Sequence, residues 1–390
     1  MNILLSGRID ANSAPDVEAA ISRELAKCPG EAPVFDASEL EYISSAGLRV
    51  LLKFRKQFGA NLDVINASPE VYDIFEVTGF TELLNVKKAL REISLEGCPV
   101  IGGGNFSTVY RLDPETIVKV FTHPTATLAS AESDRQISRQ VFIHDIPTAI
   151  AYDVVKVGDK YGLVYEMIDA DTVSGTLRKQ PERLEELALK MARLLKKLHT
   201  TEFEPGTFRD ARDILHDMIS RPFRMGMINA EDKASIDELI DRIPARNTFV
   251  HLDYHPKNVM LSDNELVLID VGGSGLGNPI ADLLISYSQF VSMARFAAAH
   301  GSKIHEQAIG LDYKTLGAMW DVMLPDYFGT TDKAALARCG EVMNGWSFIM
   351  RLHGYSVARE LPAELKIKLA AQVMEEFRKV IDTLKPIDGI

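Results

Sequence analysis

Only three cysteines occur in 390 residues, Cys28, Cys98 and Cys339. They are too scattered for a disulfide framework or a metal-ligand spacing, which points to a reducing compartment. No stretch approaches the roughly 18 apolar residues of a membrane span, and the apolar run at Ile3–Leu5 is too short for a secretory signal. Positive charge is scarce: 43 Lys and Arg stand against 55 Asp and Glu, a formal net charge of −12. Neither residues 1–90 nor the remainder is basic, which argues against a nucleic-acid-binding footprint and against substrate capture by global positive charge. A cytoplasmic chain with no membrane and no nucleic-acid partner is expected. Some catalytic signatures are missing too. GxxxxGK followed by Ser or Thr is absent, so this is no P-loop NTPase. There is no GxSxG nucleophile elbow, and His251 and His255 lack a third ligand at a zinc-like spacing.

What is present begins with length and pattern. A chain of 390 residues with 46% hydrophobic and 25% charged content suggests a globular protein of two or three domains. In the first ninety residues strand and helix patterns alternate. Short strands are expected at Ile3–Leu5, Pro33–Phe35 and Leu62–Ile65, and helices at Ala14–Ala26, Ala46–Phe58 and Glu70–Val77, an α/β layer sandwich. Ser44 and Ser45 fall at a helix start, where free N–H groups favour either a phosphate or a simple capping hydroxyl. The segments GRIDANSAP, DASELEYISSAGLRVLL (Asp36–Leu52) and VYDIFEVTGF (Val71–Phe80) come in an order that resembles a STAS domain, the fold of anti-sigma-factor antagonists, over about residues 1–88. That resemblance implies a regulatory module with a protein partner, and makes Ser45 the phosphorylation candidate; the family usually has Asp where this chain has Ser44. The polar, mildly basic stretch Asn85–Ile93 is the expected connection, read as a short helix.

The remainder carries a different chemistry. Gly102, Gly103 and Gly104 suit a turn between two strands whose N–H groups could approach phosphate oxygens. Lys119 follows inside the apolar strand IVKVF and requires a partner if buried. Glu132, on an expected helix Thr127–Phe142, is the first choice, with Asp134 as rival. Strands are expected at Ala149–Val154 and Tyr161–Ile168, the second ending where backbone near Glu166 and Ile168 would meet an adenine edge. Leu184 to Leu198 keeps the spacing of a core helix, with Glu186 and Lys190 paired on its outer face.

The most informative run is His251–Asn258, HLDYHPKN, with Asp270 twelve residues after Asn258. Asp253 could accept a hydroxyl proton, while Asn258 and Asp270 offer the hard oxygens that Mg²⁺ prefers. Lys119 would hold ATP phosphates. His251 reads as a structural brace, and His255 and Lys257 could face phosphate or water. Residues 94 to about 290 resemble the aminoglycoside phosphotransferase and choline kinase group of the protein-kinase-like fold. His255, two places after Asp253, is the small-molecule form of the motif, and Asp282 in GLGNPIADL matches a structural brace. DVG at Asp270–Gly272 and Ser107 depart from the group's pattern. The resemblance implies a two-lobed domain, with an N-lobe and linker at 89–168 and a mainly helical C-lobe at 169–390. It implies ATP, Mg²⁺ and a small-molecule hydroxyl acceptor. No acidic cluster for a cationic acceptor stands out. The alternatives are a signalling protein whose kinase-like part phosphorylates a protein serine, Ser45 among them, and a catalytically dead scaffold.

Overall fold

The computed structural model describes residues 1–59, 61–104, 106–299, 301–358, 361–381 and 384. The chain divides into two compact units, residues 1–94 with 155–158, and residues 95–154 with 159–390.

The first unit alternates strand and helix: β1 (Asn2–Ile9), α1 (Ala14–Leu25), β2 (Val34–Ile43), α2 (Ser45–Phe58), β3 (Asp63–Ala67), α3 (Pro69–Val77) and β4 (Asn85–Lys88). The four strands are parallel in the order β1-β2-β3-β4, because each helix supplies the crossover that parallel neighbours require. Ile3, Leu5 and Ile9 of β1 alternate into a core with Phe35, Leu51, Phe54, Val64 and Phe75. Helix α2 starts where Ser44 accepts the Ala46 N–H at 3.2 Å and stops at Gly59, whose φ of 65° is a left-handed cap. Gly47 permits its first turn to sit on the sheet: a Cβ there would lie 2.6 Å from Ile9 and 2.7 Å from Ile43. The stretch 85–93 is not a helix. Asn85–Lys88 pairs with Asp63 and Val64, and β5 (Arg91–Glu92) pairs with Val155 and Lys156. With Val86 as its one partly covered apolar side chain, β4 is a charged edge strand, the composition that blunts unwanted pairing.

The second unit begins with β6 (Val100–Gly103), β7 (Ser107–Arg111), β8 (Thr116–Phe121), α4 (Leu128–Ile143), β9 (Ala151–Val157) and β10 (Lys160–Glu166). The sheet runs β9-β10-β8-β7-β6. Helix α4 opens on a Thr127/Ser130 capping box. A mainly helical part follows: β11 (Asp171–Thr172), α5 (Val173–Lys179), α6 (Leu184–Thr200), α7 (Ala211–Arg224), α8 (Ala230–Asp241), β12 (Thr248–Val250), β13 (Val259–Ser262), β14 (Glu265–Leu268), β15 (Gly275–Gly277), α9 (Pro279–Tyr287), α10 (Met293–Ala299), α11 (Ile304–Ile309), α12 (Tyr313–Phe328), α13 (Lys333–Trp346), α14 (Phe348–Val357) and α15 (Ala363–Val380). Leu187, Met191, Leu195 and Leu198 of α6 lie in its core with Phe249, Tyr254 and Trp346. Outside, Glu186 pairs with Arg183 and Lys190, whose hydrogen bonds and charges hold its carboxyl down to about 2. Strands β13 and β14 form a hairpin whose turn residues Asp263 and Asn264 have φ of 48° and 65°, a two-residue turn that matches strand twist. Among the described residues no helix is long and apolar enough to cross a membrane.

Candidate active site

Asp253 lies in the loop from β12 to β13. Leu252, just before it, has φ of 62°, a left-handed backbone that a branched residue holds only when its surroundings enforce it. Asp282, fully buried on α9, does the enforcing. Its Oδ2 accepts the His251 N–H at 2.6 Å and its Oδ1 the Leu252 N–H at 3.0 Å, with His199 Nε2 3.2 Å from Oδ2. Burial alone would raise the Asp282 carboxyl; the hydrogen bond and charge of His199, with His251, bring it below the usual range. His251 uses both ring nitrogens. Nδ1 accepts the Asp253 N–H, so the proton sits on Nε2 and is donated to the Ile269 carbonyl, both at 3.2 Å. One neutral ring thereby ties Asp253 to the residue before Asp270.

The Asp253 carboxylate is 47% exposed and faces two ways. Oδ2 accepts from Asn258 Nδ2 at 3.1 Å; that amide also donates to the Asp253 carbonyl at 3.0 Å. Oδ1 accepts from Gln289 Nε2 at 3.2 Å and stands 3.5 Å from His255 Nε2. With its nitrogen engaged, the Asn258 group that could meet a cation is its amide oxygen. Lys257 is turned away, its ammonium donating to the Ala308 carbonyl at 2.9 Å.

Asp270 follows β14 with φ of 61°, at the head of the short 271–273 turn. The Lys119 ammonium donates to Asp270 Oδ1 and lies 4.0 Å from Asp134 Oδ2. Burial opposes the lysine's charge, but Asp270, Tyr165 and Asp134 outweigh it and its pKa rises. Lys119 in turn lowers Asp270, against burial, whereas burial leaves Asp134 raised despite the same cation. Gly272 makes the approach of α4 possible: a Cβ there would lie 2.3 Å from Asp134 Oδ2. Glu132, expected beside Lys119, instead pairs with Arg135 at 2.9 Å. Positions 132 and 134 point about 200° apart around a helix, so α4 turns one of them to β8, and it turns Asp134.

In the Gly-rich turn the three glycines differ. Gly103 has φ of 157° and a Cβ there would sit 3.0 Å from the Ser107 carbonyl, while Gly102 and Gly104 have room for one. The Glu166 side chain is held by the backbone of Ile150. Its Oε1 accepts the Ile150 N–H at 2.7 Å, its N–H donates to the Ile150 carbonyl at 3.0 Å, and the Met167 N–H bonds Glu115 O at 2.7 Å. Ile168 carries the Ala170 N–H on its carbonyl at 2.9 Å. In the first unit, Ser44 is the N-cap of α2, and Ser45 is the exposed first helical residue.

Lys119, Asp134 and Asp270 are thus one cluster and Asp253, Asn258 and Gln289 another, joined through His251 and Ile269. Sequence reading had no hold on Gln289. It lies in a single π-turn, Ser288–Ser292, a feature frequent at functional sites but without a local sequence pattern.

The description "Phosphotransferase enzyme family" belongs to the family model that matches residues 96–313, over half of the chain. The chain belongs to this family. Ahead of its phosphotransferase-family domain, the STAS domain model matches residues 2–93. Two bacterial proteins are similar to that first part. One, from Bordetella bronchiseptica, is described as "Putative anti-sigma factor antagonist BtrV"; it is 36% identical over 86 residues, 21% of this chain and 72% of that protein. The other, the anti-sigma-B factor antagonist of Listeria monocytogenes, is 29% identical over 97 residues, 24% of this chain and 84% of that protein. Among solved structures, an ADP-bound aminoglycoside phosphotransferase, APH(2'')-Ib, is 17% identical with a TM-score of 0.47, covering 74% of this chain and 94% of its own.

Proposed function

We propose that this phosphotransferase-family chain moves the γ-phosphate of ATP to a hydroxyl of a small molecule, with its STAS domain as the regulatory module. The observation that carries the reading is the joining of Lys119–Asp270 to Asp253–Asn258 through His251. Those links connect an ammonium, two carboxylates and a carboxamide. Asp253 presents an exposed carboxylate that can accept the acceptor hydroxyl's hydrogen bond, and its proton as the new O–P bond forms. In phosphoryl transfer, fixing that geometry counts for more than base strength. Lys119, with Asp134 still beside it, can turn toward phosphate oxygens and remain paired. The donor set suits Mg²⁺: Asn258 offers one amide oxygen and Asp270 an ionised carboxylate. No group of three or more His, Cys, Asp or Glu forms a metal cage among the described residues, and Mg²⁺ uses one or two carboxylates with phosphates and water. When bound, the ion would neutralise charge on the phosphates.

The test is transfer of label from γ-labelled ATP with Mg²⁺ and a library of hydroxyl compounds. The wild type should consume ATP, and Asp253→Ala should lower turnover on the order of 10²–10⁴-fold. Equal turnover by that variant rejects the reading. A second reading, a protein serine as acceptor, draws on one observation: Ser44 makes the cap bond, which leaves the Ser45 hydroxyl exposed at a helix N-terminus. It requires label on Ser45 that vanishes in Ser45→Ala.

A further inference from the structure

Gln289 meets Asp253 from a helix that already holds the Asp253 loop. Asp282, near the start of α9, accepts the His251 and Leu252 N–H groups. Gln289 follows seven residues later, and its Nε2 donates to Asp253 Oδ1 at 3.2 Å. The helix runs on into the π-turn without a break, Ser288 keeping φ of −61° and ψ of −43°. Seven residues are close to two helical turns, so Asp282 and Gln289 leave one face, about 10 Å apart along the axis. That face grips the loop twice, once by its backbone and once by its carboxylate. The second grip is rigidly mounted. Ser288, Phe290 and Val291 around Gln289 are buried, and the Phe290 ring lies 5.5 Å from that of Trp320 on α12. Packing of this kind fixes the direction of a functional side chain. Gln289 itself is only partly buried.

The two oxygens of the Asp253 carboxylate are not equivalent. His255 Nδ1 accepts the Lys257 N–H at 3.3 Å, which puts the ring proton on Nε2. That Nε2 stands 3.5 Å from Asp253 Oδ1. Oδ1 therefore has Gln289 as its donor and a second N–H beside it. Among the described residues Oδ2 has one donor, the Asn258 amide at 3.1 Å. Each carboxylate oxygen has two lone-pair sites, so Oδ2 keeps one for an incoming hydroxyl. One amide on each oxygen also fixes the rotation of the carboxylate, a torsion that is otherwise broad and two-fold. An amide at 289 does this without bringing a charge. An ammonium or guanidinium there would form a charge-assisted bond to the carboxylate and compete with the acceptor.

Resting on the phosphotransferase reading, we infer that Gln289 is a positioning residue on the acceptor side of Asp253: it holds Oδ1 and so turns Oδ2 to the acceptor hydroxyl. As the hydroxyl oxygen bonds to the γ-phosphorus and the bond to the bridging oxygen of ADP breaks, the hydroxyl proton passes to Oδ2. Gln289 acts on this step only through Asp253.

The experiment uses the full chain with γ-labelled ATP and Mg²⁺, and offers water, glycerol, D-ribose, choline and kanamycin in turn as acceptors. Release or transfer of label gives kcat and KM, calorimetry gives ATP affinity, and thermal melts show that each variant folds. Gln289→Met keeps the length of the side chain and removes the donor. Gln289→Asn keeps the amide but is one methylene too short to reach Oδ1. Each should lower kcat on the best acceptor about 10- to 100-fold. KM and ATP affinity should stay within about twofold, the signature of a loss confined to the transition state. In an Asp253→Ala background Gln289→Met should change the residual turnover less than about twofold, because residues that act as a unit are not additive. A residue that merely supported the fold would lower turnover by the same factor in both backgrounds. The inference is overturned if either variant keeps the wild-type kcat, or if Gln289→Met costs as much without the Asp253 carboxylate as with it. A wild type that turns over ATP with no acceptor of this set, or no faster than Asp253→Ala, instead overturns the phosphotransferase reading, and the role of Gln289 with it.

Discussion

Gly272 has room for a hydrogen and little else. Adding one methyl would press on the Asp134 carboxylate at 2.3 Å, so Gly272→Ala should push α4 from the 271–273 turn. Strain of this kind costs about 1–3 kcal/mol. A lowered urea midpoint together with weakened ATP binding is the expected result; an unchanged affinity would mean Asp134 is dispensable. Asp282 is the other residue on which the site depends. In Asp282→Asn the two N–H donors of His251 and Leu252 lose a charged acceptor. Removing one partner from such a buried cluster costs on the order of 3 kcal/mol, and the left-handed Leu252 should relax. Denaturant melts and turnover should fall together. At this scale the sequence was legible where a residue's placement is local. Asp253, Asn258 and Asp270 flank one short hairpin, so their spacing brings them near one another. The partner of Lys119 was not legible, because Glu132 and Asp134 differ only by the phase of a helix whose docking is tertiary.

Among elements, α2 offers a clean comparison of neighbours. Ser44→Ala removes the cap on Ala46 and should cost about 1 kcal/mol, while Ser45→Ala, outside the cap, should stay within about 0.5 kcal/mol. Equal losses would place the cap elsewhere. Helices α7 and α8 are clipped by His216, 2.9 Å from both Asp237 and Asp241. Burial lowers its pKa, but the two carboxylates prevail and raise it above 6.5. A raised folded value means this contribution is complete below about pH 6.5 and disappears as pH climbs through the folded pKa. The stability gap between wild type and His216→Gln should therefore narrow from pH 6 to 9. His305 has the opposite sign. Burial and His255 push it down to about 4, so its contribution is present above about pH 6.5 and fades as pH falls toward 4. The α/β alternation of the first unit was readable because each period is short and each strand has its own helix. The stretch 85–93 was misread because Val86, Ala89, Leu90 and Ile93 fall at helical spacing, and what makes Asn85–Lys88 a strand is the open edge of β3.

For the whole molecule, saturating ATP with Mg²⁺ should raise the melting temperature. Ligand at a hundred times Kd adds about 2.7 kcal/mol to the state that binds it, and no shift would count against nucleotide binding. The acceptor side was the least legible part of the chain. Gln289 reaches Asp253 from 36 residues further along the chain, and only packing brings the two together. The same long-range logic gives Tyr327 an unexpected reach. Its hydroxyl is 2.7 Å from His199 Nδ1, and beyond the imidazole lie Asp282 and the backbone of Leu252. A phenol near the end of α12 thus stands at one end of a polar wire whose other end holds the backbone just before Asp253. A substitution at Tyr327 is therefore a handle on the pose of the Asp253 loop.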